Sequence, residues 1–500
     1  MVTARRSGRN GNKQIGITKA VSREGSCFLL YLDVLLAIWG KGWYNIKSFA
    51  EILEQVNRWL WGGPILLMIL GTGIWITLRC RAPQFRFFPA SFRAFVRSFF
   101  NRGEDHGGAS PFRALCTALA ATVGTGNIAG VAGAIAIGGP GAIFWMWVSA
   151  VLGMATKFAE STLAVRFRQR GRNGEWVGGP MYMIRNGLPK RFHPLATAYA
   201  ILGLAAAFGV GNATQVNAVI CAMEETARGY GMGQHPATAY LAGGLIAVAV
   251  VVLVSGGAGK IGRITEGMIP VVAGGYILLC CIAIGRQHCQ IPTAFASILS
   301  GAFDPRAVSG GMVGSGFAAL RIGVSRGTFT NEAGMGTAAM AHGSALVEHP
   351  VEQGFMGIME VFVDTIVICT LTALVILTSG IPIPYGSAAG AELTARALSA
   401  SFGPWVSAFL CGCLCFFALG TILGWGLYAG RCAEFLFGSI RWGWFALCQG
   451  ICVMIGVILN TGTVWTLSEL TNGLMALPNL VALAALMPEL ARLIRQYQER

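Results

Sequence analysis

Residues Gly124-Thr125-Gly126-Asn127 interrupt an apolar, membrane-length segment, Ala114 to Ile137, in a chain that holds many such segments. Each glycine in mid-helix is less favourable than alanine by about 1 kcal/mol. In hydrocarbon, broken helical backbone is tolerated only where it is buried in protein or lines a water-filled site. A helix interrupted near the membrane midplane therefore marks a binding site for a small solute, and the expected membrane protein becomes an expected transporter.

Composition agrees. The 500 residues are 54% hydrophobic and 12% charged, with a mean hydropathy of +0.60. Soluble domains carry roughly 25% charged residues, so this chain is built for lipid as its solvent. The formal charge of +15 does not point to nucleic acid, because the basic residues sit mainly in short loops between apolar spans. The 14 cysteines fall largely inside apolar stretches, without zinc-ligand spacing, and read as small buried apolar side chains.

Windows of about 20 apolar residues give eleven spans: 62–78, 114–137, 141–164, 194–220, 238–255, 263–285, 311–341, 354–379, 404–429, 441–459 and 464–487. The seventh is the least hydrophobic and contains a second break, Gly327 to Gly336, with Asn331 and Glu332. The second and seventh spans each open a run of five helices. The expected fold is all-α and polytopic: about eleven transmembrane helices in two inverted five-helix repeats, about 114–285 and 311–487, behind one extra N-terminal helix. The transporter domain is placed at 62–490, after an N-terminal extension and amphipathic segment, 1–61. A tail, 491–500, follows.

The Arg-rich segments 79–113 and 165–191 fall on one face, and the alternate loops 223–237, 286–310 and 380–403 carry few basic residues. The positive-inside rule puts the first set, and the C-terminus, in the cytoplasm. The basic N-terminal tail runs against this count. Residues 1–50 are therefore read as an extension outside the domain, and Ile46 to Leu60 as an amphipathic surface segment.

Charged residues inside a span cost several kcal/mol and are functional candidates. Asp364, in a strongly apolar segment with Thr365 beside it, either ligates a cation, exchanges a proton, or caps a broken helix. Glu332 stands beside a half-helix N-terminus, which suits a structural role equally well. Lys157 and Glu160 read as a boundary pair near a helix end, and Glu360 lies one turn before Asp364. Asn212 and Gln215, three residues apart, are expected on one helix face, either to hold a polar solute or to bridge helices. Thr421 offers a hydroxyl of the kind sodium accepts, or a back-bond to its own helix. Gly124, Gly126 and Gly130 do not make a dinucleotide fingerprint, and Gly256 to Lys260 lacks the Ser/Thr of a phosphate loop. No nucleophile–base pair is evident, and the chain is not read as an enzyme.

At these residues the sequence resembles the alanine or glycine:cation symporter family. The matching stretches are Ala121–Ala132, Gly138–Trp147, Lys157–Glu160, Gly178–Tyr182, Gly211–Asn217, Arg326–Gly336 and Asp364-Thr365. The resemblance implies a leucine-transporter-like fold and uptake of small neutral amino acids, alanine or glycine, with sodium or protons across a bacterial-type inner membrane. It implies a substrate carboxylate at Thr125, Gly126 and Asn127. The ammonium would be held by Phe329, Thr330, Asn331 and Gln215, and the cation by Thr122, Val123, Asp364 and Thr421. It implies no organic cofactor and no obligate protein partner; the coupling ion, the substrate and the bilayer suffice. Two differences accompany it: Gly420 stands before Thr421 where relatives tend to have serine, and Gly430 where they tend to have glutamate. A proton-coupled symporter and an uncoupled facilitator remain the alternatives.

Overall fold

In the computed structural model, residues 52–100, 108–172, 174–231, 236–303, 316–387, 389–438, 440–458 and 461–500 are described. The chain divides into two units, Met1–Val56 and Asn57–Arg500; the first contributes only 52–56 to the description, so the reading of 1–50 lies outside it. The second is an all-helical bundle with one two-residue hairpin, β1 (Gln169–Arg170) against β2 (Trp176–Val177).

Over their described residues, all eleven expected spans fall largely on helices. The first ends with α1 (Pro64–Arg79). The second is two helices, α3 (Pro111–Thr122) and α4 (Val131–Gly138), preceded in the chain by an amphipathic helix, α2 (Phe88–Phe100). Next come α5 (Gly141–Arg166), α6 (Pro180–Gly187), and a long span made of α7 (His193–Phe208) and α8 (Thr214–Gly229). α9 (Pro236–Val254), α10 (Gly257–Arg286) and α11 (Ile291–Phe303) complete the first half.

The second half opens with another divided span, α12 (Gly316–Asn331) and α13 (Thr337–His342). α14 (Pro350–Val361) and α15 (Thr370–Thr378) follow, with α16 (Ala391–Phe402) lying between spans. The last are α17 (Trp405–Phe437), α18 (Trp442–Ile458), α19 (Thr461–Ala485) and α20 (Met487–Gln498). By length and apolarity, seven described helices are able to cross a membrane, and two bent pairs add to them. The seventh and tenth spans are not among them: their described helices, Gly316–Asn331 and Trp442–Ile458, have 16 and 17 residues.

Four segments read as plain loops contain helices: α2, α6, α11 and α16. In α2 the phenylalanines 88, 92, 95 and 99 recur at helical spacing, one face apolar and the other basic, so Arg93 and Arg97 decorate a helix. The last span ends at a 57° bend before α20, whose apolar residues Leu490, Leu493 and Ile494 are buried.

α5 is the centre of the bundle. Its residues from Gly153 to Val165 are all buried. α12 and α14 approach it backbone to backbone: a Cβ on Gly323 would sit 2.2 Å from the Ala142 carbonyl oxygen, and one on Gly357 2.6 Å from that of Lys157. Small residues at such crossings let membrane helices meet without side chains between them. Both divided spans are thereby pressed around one helix.

Candidate functional site

Two breaks define the site. At the first, Val123 leaves helical geometry (φ −75°, ψ 96°), and α3 and the half-helix beginning at Gly126 diverge by 54°. The Asn127 side chain closes the gap: its Oδ1 accepts from the Gly124 amide at 2.9 Å. Its Nδ2 donates to Asp364 Oδ1 at 2.7 Å and to the Asp364 carbonyl at 3.2 Å. The Asn127 backbone amide turns back to the Gly124 carbonyl at 3.3 Å, and the half-helix presents its positive dipole end at Gly126, a place for an anion.

The second break is Glu332 to Gly336. Glu332 takes a left-handed φ of +53°, and Gly334 and Gly336 have φ of +92° and +76°. The strain at Glu332, of order 1 kcal/mol, is offset by two bonds to its carboxylate, from Thr337 Oγ1 (2.6 Å) and Trp425 Nε1 (3.2 Å). Glu160 of α5 fixes the rest. Its Oε1 accepts from the Gly334 amide (3.0 Å), the Gly336 amide (3.1 Å) and Asn479 Nδ2 (2.7 Å).

The breaks face each other. A methyl on Gly126 would stand 3.3 Å from Thr330 Cγ2. Thr125 Oγ1 donates to Gln215 Oε1 at 3.3 Å, bringing α8 to the first break. A Cβ on Gly124 would lie 2.8 Å from Thr421 Oγ1, which places α17 on its other side. Thr421 gives its proton to its own helix at Phe417 O (3.1 Å), leaving the oxygen's lone pairs toward the break. The Asn331 amide donates to Thr365 Oγ1 (3.2 Å), and Thr365 donates to Asp364 Oδ2 (2.8 Å). Asp364 thus ties to both breaks: directly through Asn127, and through Thr365 to Asn331.

Of the residues expected from sequence, Gly124, Thr125, Gly126, Gln215, Thr330 and Thr421 converge on one volume. Val123 supplies a backbone kink there. Thr122 back-bonds to Ala118 O (3.2 Å), and Thr330 to Gly327 O (2.9 Å). Phe329 is half-buried in the last turn of α12. Asn127, Asn331 and Asp364 have their side chains engaged in holding the breaks together. At Gly420, a side chain would meet the Met268 methyl at 3.1 Å and Ile269 at 3.2 Å, so apolar groups fill that space.

Three expectations change. Asn212 and Gln215 do not act as a face, because Gly209–Ala213 is a π-helical turn. The wider turn shifts register: Gln215 Nε2 donates to the Val210 carbonyl that the turn releases (3.2 Å). Both amide atoms of Asn212 are buried without a partner. Second, Asp364 does not stand on a regular α-helix: it lies in a π turn, Phe362–Cys369, and a further π turn, Gly126–Gly130, opens the half-helix of the first break.

Third, Lys157 and Glu160 are not a boundary pair. Both are fully buried, and Lys157 pairs with Glu360 at 2.8 Å, whose other oxygen meets His342 at 2.9 Å. The lysine's partner lies 203 residues away in sequence, so no local pattern revealed it.

Two cavities flank the site. One, of about 410 Å³, is lined by Arg113, Thr117, Glu175, Ala341, Leu427 and Arg431 among others. The other, about 420 Å³, lies at the opposite end between α8, α16 and α17 and includes Ala222, Arg396, Cys411 and Leu414. Neither is lined by Thr125, Gln215 or Asn331. Paired discontinuous helices around a closed polar centre, with a cavity on either side, define a multi-pass membrane transporter with the leucine-transporter-like architecture. The comparisons with known proteins agree. The family model described as "Sodium:alanine symporter family" matches residues 46–500, and the chain belongs to that family.

Among its relatives, the sodium/alanine symporter AgcS of Methanococcus maripaludis is 38% identical over 446 residues, covering 88% of this chain and 95% of AgcS. The probable sodium/glutamine symporter GlnT of Bacillus subtilis is 37% identical over 455 residues, 89% of this chain and 91% of GlnT. The crystal structure of MhsT in complex with L-phenylalanine superimposes with a TM-score of 0.56 at 14% identity, covering 77% of this chain and 90% of MhsT. That likeness speaks for the fold.

Proposed function

We propose that this protein is a secondary symporter of an inner (plasma) membrane that carries alanine or glycine inward with sodium. The observation that carries the reading is the meeting of the two breaks, Gly126 against Thr330, with Thr421 and Gln215 closing the sides. The positive end of the half-helix at Thr125, Gly126 and Asn127 suits a carboxylate. Carbonyls of the last turn of α12, Phe329 to Asn331, just before the second break, suit an ammonium together with Gln215. The Thr421 hydroxyl and the carbonyls of Thr122 and Val123 are hard oxygen donors of the kind sodium takes.

The closeness of the breaks favours a small side chain over glutamine. Asp364 acts in this reading by holding Asn127 and Thr365, so the site's shape depends on it. By the positive-inside rule, the Arg113 cavity and the C-terminus face the cytoplasm.

The test is uptake of labelled alanine, glycine and glutamine into proteoliposomes under an inward sodium gradient or an inward proton gradient. Sodium-driven accumulation of alanine or glycine exceeding glutamine is expected. Accumulation driven by protons alone, or equilibration without accumulation, overturns sodium symport.

A further inference from the structure

Lys157, Glu360, His342 and Gln353 form a fully buried hydrogen-bonded chain that the site described above does not use. Its polarity is defined at one end. Lysine only donates, so Lys157 Nζ gives a proton to Glu360 Oε1 at 2.8 Å. Glu360 Oε2 accepts from His342 Nε2 at 2.9 Å, and His342 Nδ1 accepts from Gln353 Nε2 at 2.6 Å. In this arrangement His342 is the neutral Nε2–H tautomer.

The other end is unfinished. Gln353 Oε1 is buried with no hydrogen-bond partner. Leaving an acceptor so placed costs about 1–3 kcal/mol. Half a turn of the amide would aim that oxygen at Nδ1, where it accepts a proton from an imidazolium. One side chain therefore serves both states of His342, as donor to the neutral ring and as acceptor from the charged one.

Other charges nearby are committed elsewhere. On α5, Glu160 holds the second break. On α17, Arg431 pairs with Glu175 and Glu434, and Cys432 contacts Met340. On α3, Arg113 pairs with Glu266, and on α6 the Tyr182 ring meets Phe435 edge to face. Glu360, with Lys157 behind it, is the charge in contact with the ring. The nearest cavity is the one of about 410 Å³, which Ala341 and Ser344, flanking His342 in sequence, help to line.

We propose that His342, set between Glu360 and the Gln353 amide, is a proton-binding site loaded from the Arg113 cavity, whose occupancy biases the second discontinuous helix. A proton from cavity water joins Nδ1, Gln353 turns over, and the imidazolium stays bonded to Glu360. His342 ends α13, the far half of that helix. Glu360 stands four residues before Asp364, which is bonded to the first break. Proton occupancy thus reaches both halves of the site through packed, hydrogen-bonded elements. This rests on the symport reading given above, and its test is chosen to separate the two.

The first measurement needs no substrate: the ¹³Cε1 resonances of the six histidines are followed against pH in detergent-solubilised protein. The signal lost in H342N, or displaced in Q353A should H342N not fold, is expected to move reversibly on acidification. A signal that stays fixed down to the pH of unfolding overturns the proposal. The second is alanine uptake at a fixed sodium gradient with the pH of the Arg113-cavity side varied. Wild type is expected to change severalfold and Q353A markedly less. A Q353A profile matching wild type overturns a coupled proton, whereas absence of any alanine uptake with a titrating His342 signal counts against the substrate reading alone.

Discussion

Gly124 is where a single atom decides. Its Cβ position lies 2.8 Å from Thr421 Oγ1, inside contact distance, and a threonine in a helix has few rotamers to retreat to. G124A is therefore expected to push the Thr421 oxygen off the first break while leaving the fold intact. The sodium concentration giving half-maximal uptake should rise about tenfold, equivalent to about 1.4 kcal/mol. T421A should do the same, and the double variant should be no worse than T421A, because both remove one interaction. Additive losses would detach Gly124 from the cation path. Gly420 lacks this leverage, since Met268 and Ile269 fill the space beside it.

At the scale of elements, the second break is held from outside itself. Three donors from α19 and the unwound strand converge on one oxygen of Glu160. E160Q retains the volume and loses the charge, and hydrogen bonds to a charged group are worth about 1.5–3 kcal/mol. It should lower the unfolding temperature in detergent, and Asn479→Leu on top of it should cost less than the sum. Unchanged melting would mean that the break is set by Gly334 and Gly336 alone.

The docking of α20 is pH-sensitive in a defined direction. Burial raises the Glu489 carboxyl, but bonds from Arg166 and Arg492 outweigh this and hold it below the usual carboxylate range. A depressed folded-state value stabilises above the unfolded one, about 4.3, and is lost as pH falls through it. With these side chains part-exposed, the gain is under about 1 kcal/mol. E489Q should flatten the acid limb of α20 hydrogen exchange. The breaks themselves were legible in the sequence, because glycine and asparagine inside apolar spans have a local meaning. The π turns at 209–213 and 362–369 were not, since a shift from 3.6 to about 4.4 residues per turn leaves no composition signal. Nor was the Lys157–Glu360–His342 chain, whose members meet only after α5, α13 and α14 pack.

For the whole molecule, the two cavities and the site stand in a line along α17. Leu414 lines one cavity, Leu427 the other, and Thr421 lies between. At 1.5 Å per residue the site is roughly 10 Å from each, so a layer about two helical turns thick closes either path. Such a molecule works only by opening one layer at a time, which rocking of the breaks against the remaining helices provides. Opposite faces should then be reachable from opposite sides of the membrane. An impermeant thiol reagent outside the cell is expected to inhibit uptake through Cys411, and C411S to resist it. S344C should become sensitive only when the reagent has access to the cytoplasm, the side proposed for the Arg113 cavity. Cys411 reacting from the cytoplasmic side would invert the orientation that the basic segments imply. Protection of both positions by alanine with sodium would mean that the loaded state is shut at both ends, as alternating access requires.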